Sequence, residues 1–501
     1  MRTMADIPRL GQSRFPDKIA ISMGDDSLTY AGFNQQVNQA ANNLIEMGVK
    51  PGDRVALFAN NSLEYPVVVY AIAKCAAIAV PINFRFQVKE LIFVLNDAEP
   101  MVLYVGSDLA ALVSEALPKL KAPPKVVALE NLAEGNITEP DVVVDPDSAS
   151  MLMFTSGTTG FPKGVLFSHR SYLAVGHCLI IDGDLNHHDS VMIPLPLFHN
   201  GGLNALLMPS LMVGATAIVT ERGFDPDEIL ETIQNSKISL TMLVPTMLAM
   251  LINHAGADKY NVSSLRKIWY GSSPISPTVL KTSMGLFDAG FYQVYGQTET
   301  GMNSILRPED HVDHSQCTGR EMISAELRIV DESGRDLAVG EIGEIISAQQ
   351  PLGMIEYFRN QKATNETIRD GWIHTGDLAR VETDGLFTIV GRIKEMIISG
   401  AENIYPKEIE DALMIHPAVR EAAVFGIPDD IYGEAVCAAV VLQPGAQATD
   451  QEVIAHCEKH IARYKRPKKV EFHQELPKNA AGKITKNDLR SPHWASRNKA
   501  I

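Results

Sequence analysis

Five cysteines, at Cys75, Cys178, Cys317, Cys437 and Cys457, are all that 501 residues contain, and they form no Cys-x-x-Cys pair. No Cys/His run has zinc-ligand spacing, and the adjacent His187-His188 pair reads as a solvated turn, since neighbouring residues rarely converge on one metal. A disulfide framework is excluded, and an odd, scattered set of thiols points to a reducing, cytoplasmic setting. Basic charge is also short: 44 Lys and Arg face 60 Asp and Glu, a net charge of −16. That balance argues against nucleic acid and anionic membranes as partners. The amino terminus lacks an apolar signal core, and there are no repeats or low-complexity tracts. Asp, Glu, Lys and Arg are missing from 190 to 220, a length that would cross a membrane. Pro194, Pro196, His199, Asn200, Gly201, Gly202, Asn204 and Pro209 interrupt that stretch, so it reads as a buried strand–loop–helix–strand unit, with no integral membrane segment.

Against these absences stands one dense run, Thr155-Ser156-Gly157-Thr158-Thr159-Gly160-Phe161-Pro162-Lys163-Gly164, directly after the apolar Met151–Phe154. A strand followed by a glycine-rich loop suits phosphate, because glycines let backbone N–H groups approach an anion and Lys neutralises its charge. The nucleotide P-loop pattern is not met, since the Lys precedes the last Gly and no hydroxyl follows it. A plain surface loop is the other reading of this segment.

At this length two or three domains are expected. Strand-like and helix-like runs alternate through the first three-fifths: Asp53–Ala59, Ala77–Ile82 and Met101–Val105 as strands, Ser62–Ala76 and Gln87–Ala98 as helices. The alternation resumes with strands at Val191–Ile193, Ala215–Val219, Ser239–Val244, Ile268–Gly271 and Phe291–Tyr295, and with helices opening near Leu203, Pro226, Pro245 and Pro277. This is the α/β pattern of parallel sheets with helices on their faces, and Pro is tolerated in a first helical turn. After about Gly301, short strands joined by Gly/Asp turns suggest a small β-rich subdomain. The last hundred residues read as a small α+β domain, with a boundary near Gly391–Lys394.

Four further segments carry chemistry. Tyr295-Gly296-Gln297-Thr298-Glu299-Thr300 follows a strand, where ligands meet parallel sheets, and Glu299 is a candidate Mg2+ ligand. Asp377, after Gly376, offers a carboxylate suited to a ribose diol. Gly391-Arg392-Ile393-Lys394-Glu395 and Ser399–Asn403 read as a linker or as a hinge. Lys483 stands in a small-residue loop, and Lys465–Lys469 is a basic run on an acidic chain. Each has a bland reading as a turn, linker or solvated face.

In this order and spacing, from Leu28-Thr29-Tyr30 to Ile484-Thr485-Lys486, the motifs resemble the AMP-forming adenylating superfamily of acyl-CoA synthetases, peptide-synthetase adenylation domains and luciferases. The resemblance implies a large N-terminal domain (1–391) of stacked, mostly parallel sheets with a β-rich subdomain, a hinge (392–394) and a small mobile α+β domain (395–501). It implies that a carboxylic acid and ATP give an acyl-adenylate and pyrophosphate, and that the acyl group then passes to coenzyme A. By that resemblance Thr155, Ser156, Gly157, Thr158, Thr159, Gly160 and Lys163 wrap the β- and γ-phosphates, Glu299 holds Mg2+, and Thr298 sits by the α-phosphate. Tyr295 and Gly296 on one side, and Gly271, Ser272, Ser273 and Pro274 on the other, flank adenine, and Gln297 is a further polar contact to the nucleotide. Asp377 and Arg392 take the ribose. Lys483 is the catalytic cation, Lys394 the hinge, and Gly400-Ala401 part of a thiol tunnel; many relatives have Gly-Gly at that pair. No protein nucleophile is required, so a missing Ser-His-Asp signature is consistent.

The resemblance puts the acyl pocket at His199, Asn200, Gly201, Gly202, Met247 and Tyr270. No Asp stands where amino-acid-activating relatives hold an α-amine. The lean is to an aryl or phenylpropenoid acid over a medium-chain fatty acid. An acyl-AMP ligase loading a carrier protein is the alternative, and a non-catalytic nucleotide-binding regulator a third reading. A homodimer is compatible with the sequence.

Overall fold

The structure, a computed structural model, describes residues 1–132, 134–155, 162–220, 224–273, 275–400, 402–478 and 484–495. Among these, six strands up to Ser168 and the late strand Glu356–Tyr357 build one seven-stranded sheet. Arg54–Phe58 lies inside it between Ile78–Pro81 and Val102–Val105, all parallel. Ala149–Thr155 extends the sheet in parallel, and Lys163–Ser168 then runs antiparallel to it. A second, nine-stranded sheet has a parallel run through Ile19–Met23, Thr216–Val219, Ser190–Ile193, Leu240–Leu243, Lys267–Gly271 and Gly290–Gln297. Buried parallel strands need apolar side chains on both faces, and Arg54–Phe58 and Leu240–Leu243 are covered accordingly.

The largest apolar cluster joins strands of both sheets to the helices Tyr30–Glu46, Glu64–Lys74, His169–Asp182 and Met208–Val213. These helices therefore lie between the sheets. The seven-stranded sheet is covered on its other face by Val88–Ala98 and Ala110–Ala116. The nine-stranded sheet is covered by Pro226–Asn235, Pro245–Ile252 and Pro277–Leu286. Each of these last three helices opens on its proline, as expected, and Asp225 and Ser276 cap two of them by accepting backbone N–H bonds.

A five-stranded antiparallel sheet follows, built on Leu327–Val330, Gly343–Ala348, Trp372–Val381 and Phe387–Arg392. The last sheet gathers strands from Ile397 onward, with Val419–Asp429 and Gly433–Leu442 as its long hairpin and Lys469–His473 parallel to the second arm. The architecture is thus α/β: stacked, mostly parallel sheets, a β-rich unit and a small α+β unit.

Two local outcomes differ from the sequence pattern. Gly201–Leu207 winds as a π-helix before becoming α-helical at Met208, and the wide turn is common next to functional sites. The glycine-rich run is followed by a strand, Lys163–Ser168, that the sequence pattern does not mark; it runs antiparallel to Ala149–Thr155, with Thr155 opposite Lys163 in the register. The uncharged 190–220 stretch is the strand–loop–helix–strand unit expected, and among the described residues no helix is long and apolar enough to cross a membrane.

Candidate active site

Sheet register places the candidate nucleotide residues along one edge. Trp372–Val381 pairs with Phe387–Arg392 so that Asp377 stands directly opposite Arg392. Arg392 Nε reaches Asp377 Oδ1 at 2.9 Å. Asp377 is 4% exposed, and its other oxygen accepts bonds from the Tyr295 hydroxyl at 2.8 Å and the Gln297 amide at 2.7 Å. A carboxylate has about four acceptor positions, so these contacts leave one for a further donor. Burial alone would weaken the charge on Arg392, but Asp377 and then Glu395 more than compensate and raise its pKa. The Tyr295 phenol is pushed well above its ordinary range, by burial first and by the Asp377 charge second. The strand carrying Asp377 is held by Glu344, which accepts from Gly376 N at 2.9 Å and pairs with His374 Nδ1 at 2.7 Å.

Gln297 ends its strand, and Thr298, Glu299 and Thr300 turn the chain back into Gly301–Leu306. Thr300 Oγ1 accepts from Gln297 N at 3.1 Å and pins this turn. Glu299 Oε1 accepts from the Tyr357 hydroxyl at 2.8 Å, and Lys163 Nζ lies 4.0 Å over the centre of the same tyrosine ring. Burial lowers the Lys163 pKa; Glu299 opposes that shift, and Lys394 adds to it. Lys163, Glu299 and the expected hinge lysine Lys394 therefore share one electrostatic neighbourhood. A continuous line of contacts runs from Lys163 through Tyr357 and Glu299, along the backbone to Gln297, and on to Asp377 and Arg392.

The second strand end sits beside this line. Gly271 pairs with Val294, and a Cβ on Gly271 would lie 2.2 Å from the Val294 carbonyl, so no other residue fits there. Ser272 follows with φ +71°, a left-handed conformation that costs a non-glycine residue free energy and tends to persist at ligand-binding turns. Ser273 continues the turn, and Gly296 lies across the hairpin from Met302.

At the expected acyl site, His199 is exposed by surface area, yet the surrounding protein depresses its pKa by burial. Both hold for a side chain facing a cleft deep in the fold. Its Nδ1 accepts from Gly201 N at 3.2 Å, which puts the remaining N–H on Nε2 in the neutral ring. Phe198 packs edge-on against Phe84, with ring centres 5.2 Å apart, and forms an aromatic wall beside His199. Asn200 Oδ1 is occupied by Tyr172 Oη at 3.2 Å and Asn204 Nδ2 at 2.8 Å. Gly202 is closed in by the Pro196 carbonyl, 2.4 Å from where its Cβ would stand. Met247 is half-buried and borders both the inner and outer clusters.

Tyr270 departs from expectation. Side chains alternate along Lys267–Gly271, so Trp269 faces the inner cluster and Tyr270 the outer one. The Tyr270 ring is fully buried, and its hydroxyl meets Gln293 Oε1 and His311 Nε2, each at 3.0 Å. It offers no surface to an acyl group. Gly400 is exposed at φ +60° after Ile397–Ser399. Ser156, Gly157, Thr158, Thr159, Gly160, Pro274, Ala401 and Lys483 lie outside the described residues.

Tyr357 and Glu344 carry no mark in the sequence. The two-residue strand Glu356–Tyr357 pairs with Val165 and Leu166, and this pairing alone brings Tyr357 beneath Lys163.

Known proteins resemble this chain along nearly its whole length. The model of the AMP-binding enzyme family matches residues 11–358, and that of the AMP-binding enzyme C-terminal domain matches 408–483. The fatty acid–[acyl-carrier-protein] ligase ScoC of Streptomyces coeruleorubidus is 35% identical over 99% of this chain and 97% of its own. A feruloyl-CoA synthase of Amycolatopsis is 35% identical over 95% and 96%. The ATP-bound crystal structure of MatB from Rhodopseudomonas palustris superposes with a TM-score of 0.89, at 28% identity, over 98% of this chain and 99% of that one. The chain therefore belongs to the AMP-binding enzyme family, as an AMP-forming acyl-CoA synthetase of the adenylate-forming superfamily.

Proposed function

We propose that the protein is a carboxylate–CoA ligase whose acid is an aryl or phenylpropenoid acid, with a medium-chain fatty acid as the second candidate. The line of contacts from Lys163 to Arg392 carries the reading, because it sets a cation for phosphate at one end and a carboxylate for a diol at the other. Carboxylate oxygen attacks the α-phosphate of ATP, the P–O bond to pyrophosphate breaks, and the acyl oxygen becomes part of a good leaving group. Lys163, with the 155–160 loop, offsets charge on the departing pyrophosphate. Asp377 accepts a ribose hydroxyl at its remaining acceptor position, and Arg392 holds its charge in place. Glu299 fits a Mg2+ ion, since a single carboxylate beside phosphates is the usual protein share of such a site. When bound, Mg2+ screens the phosphate oxygens. Tyr357 orients the Glu299 carboxylate.

Lys483 is assigned as the cation that bridges the carboxylate and the α-phosphate. The domain split is 1–391 and 395–501, with residues 392–394 as the hinge. Rotation about Lys394 exchanges Lys483 for the Gly400-Ala401 segment, which admits the thiol. CoA attacks the acyl carbon, AMP leaves, and a thioester results. The Phe84–Phe198 wall beside His199 favours a flat acyl group, which gains from edge-to-face contact, and the feruloyl-CoA relative supports that choice. The ScoC relative supports a carrier protein as the alternative acceptor.

Pyrophosphate release across a panel of carboxylic acids, followed by thioester formation with CoA or with an acyl carrier protein, tests this reading. Turnover with hydroxycinnamates and CoA is expected. Preference for saturated C8–C12 acids would refute the aryl assignment, and thioester formation on the carrier alone would refute the CoA assignment.

A further inference from the structure

The small C-terminal sheet holds a cluster of side chains that adenylation does not use. Gly433–Leu442 and Lys469–His473 run parallel, so Cys437, Ala439 and Val441 share a face with Lys469, Glu471 and His473. The helix Lys486–Trp494 covers that face, with Leu489 in the same apolar cluster as Cys437. Its His493 comes to rest beside the strands. One ligand atom from each of Cys437, Glu471 and His493 lies within 4.8 Å of the others. His493 Nε2 is 3.3 Å from Glu471 Oε1, and His473 Nε2 is 3.8 Å from Glu471 Oε2. In a tetrahedral zinc site, bonds of about 2.0–2.3 Å put neighbouring ligand atoms roughly 3.3–3.8 Å apart. The His493–Glu471 separation already matches that edge length, the thiol stands within 4.8 Å of both, and His473 is close to Glu471 alone.

Two observations single this cluster out from an ordinary ion pair. Among the described residues His473 Nε2 is buried and has no hydrogen-bond partner, a state that a buried ring nitrogen normally avoids. A fully buried thiol also stands against the carboxylate. Lys469 Nζ lies 2.7 Å from Glu471 Oε1, so in the metal-free protein a lysine holds the place of a cation. Its side chain is half exposed and can swing into solvent. Glu471, His473 and His493 side chains are 24%, 32% and 21% exposed, which leaves an ion a path to Cys437.

We propose that Cys437, Glu471 and His493, with His473 as fourth ligand, bind a thiophilic divalent cation, Zn2+. Binding exchanges the thiol proton, released to solvent, for a metal–thiolate bond. The ion ties the helix Lys486–Trp494 to two strands of the sheet. That helix starts three positions after Lys483 in the sequence, so the same ion restrains the chain that carries the adenylation lysine. A soft sulfur donor with imidazole and carboxylate selects Zn2+ over the Mg2+ of the nucleotide site.

Co2+ serves as the probe, titrated into the reduced full-length protein. A near-ultraviolet thiolate-to-cobalt band should saturate at one equivalent and be displaced by Zn2+. Cys437→Ser should abolish the band, and His493→Gln should weaken Co2+ binding at least 10-fold. Bound Zn2+ should slow amide hydrogen exchange in residues 486–494. Should the serine variant fail to fold, His493→Gln, at a partly exposed helical position, carries the test. No band, a band undiminished in Cys437→Ser, or equal affinity in His493→Gln would overturn the site; unchanged exchange would overturn the clamp.

Discussion

His169 opens the helix His169–Asp182 and is fully buried, yet neither ring nitrogen has a hydrogen-bond partner among the described residues. Burial lowers its pKa from 6.5 to about 4, with Asp145 and Asp6 pulling weakly the other way. A helix N-terminus also disfavours an imidazolium. The unfolded chain takes up a proton near pH 6.5 and the folded chain only near pH 4, so the unfolded state binds more protons between those values. Stability is fully present above pH 6.5 and is lost as pH falls toward 4. Between pH 7 and 4.5 this one group should cost about 2 kcal/mol. His169→Leu removes the titration and keeps an apolar side chain in the site. Urea unfolding read through Trp269, which is buried in the same large cluster as the Tyr172 and Leu173 of this helix, reports the relevant core. The gap between wild type and variant should shift by about 2 kcal/mol in favour of the variant on acidification. Carboxylates titrate in both proteins and cancel. A gap that stays constant from pH 7 to 4.5 would show that His169 is solvated or paired, and would refute the reasoning.

Four substitutions probe the site. Asp377→Asn keeps the shape but removes the charge held by Arg392; at about 1.5–3 kcal/mol for a charge-assisted bond, kcat/KM for ATP should fall roughly 10–150-fold. In pyrophosphate-release assays, the KM for the acid should not change. Tyr357→Phe leaves a ring beneath Lys163 and deletes only the bond to Glu299, so a loss of about 1 kcal/mol, roughly 5-fold in adenylation rate, is expected; a null effect would remove Tyr357 from the machinery. Gly202→Ala forces a methyl to within 2.4 Å of a backbone carbonyl, and thermal unfolding should show a loss of about 1–3 kcal/mol. Lys483→Ala should abolish acyl-adenylate formation yet spare thioester formation from supplied acyl-AMP; equal loss of both half-reactions would contradict the assigned role.

Much of the fold is legible because its strands are short apolar runs and its helices open on proline. Pro226, Pro245 and Pro277 fix φ and lack an N–H, so each marks a helix start that the structure keeps. Sheet membership was not legible. Apolar runs such as Arg54–Phe58 and Leu240–Leu243 look alike, yet they belong to different sheets, because pairing depends on distant partners. The same limit explains Tyr270. Its neighbourhood in sequence suggests a ligand edge, but alternation along the strand turns its ring outward, and sequence alone gives no absolute phase for a strand buried on both faces.

Site residues follow a related rule. Asp377 stands out by its place after Gly376, and Arg392 joins it only through the family resemblance; the hairpin register then sets the two opposite each other. Tyr357 and Glu344 carry no such mark, because each reaches the site through a pairing formed far from its own segment: Glu356–Tyr357 with Val165 and Leu166, and Glu344 with residues 374–376 of the strand Trp372–Val381. The same reasoning explains why Cys437, Glu471 and His493 carry no zinc spacing in the sequence. Zinc spacing in a sequence arises when ligands share a tight turn or a helix face, whereas here a strand, its parallel neighbour and a covering helix each supply one. In this fold the chemistry that local motifs reveal is the chemistry held by hairpins, and parallel neighbours and covering helices place their side chains where sequence spacing gives no signal.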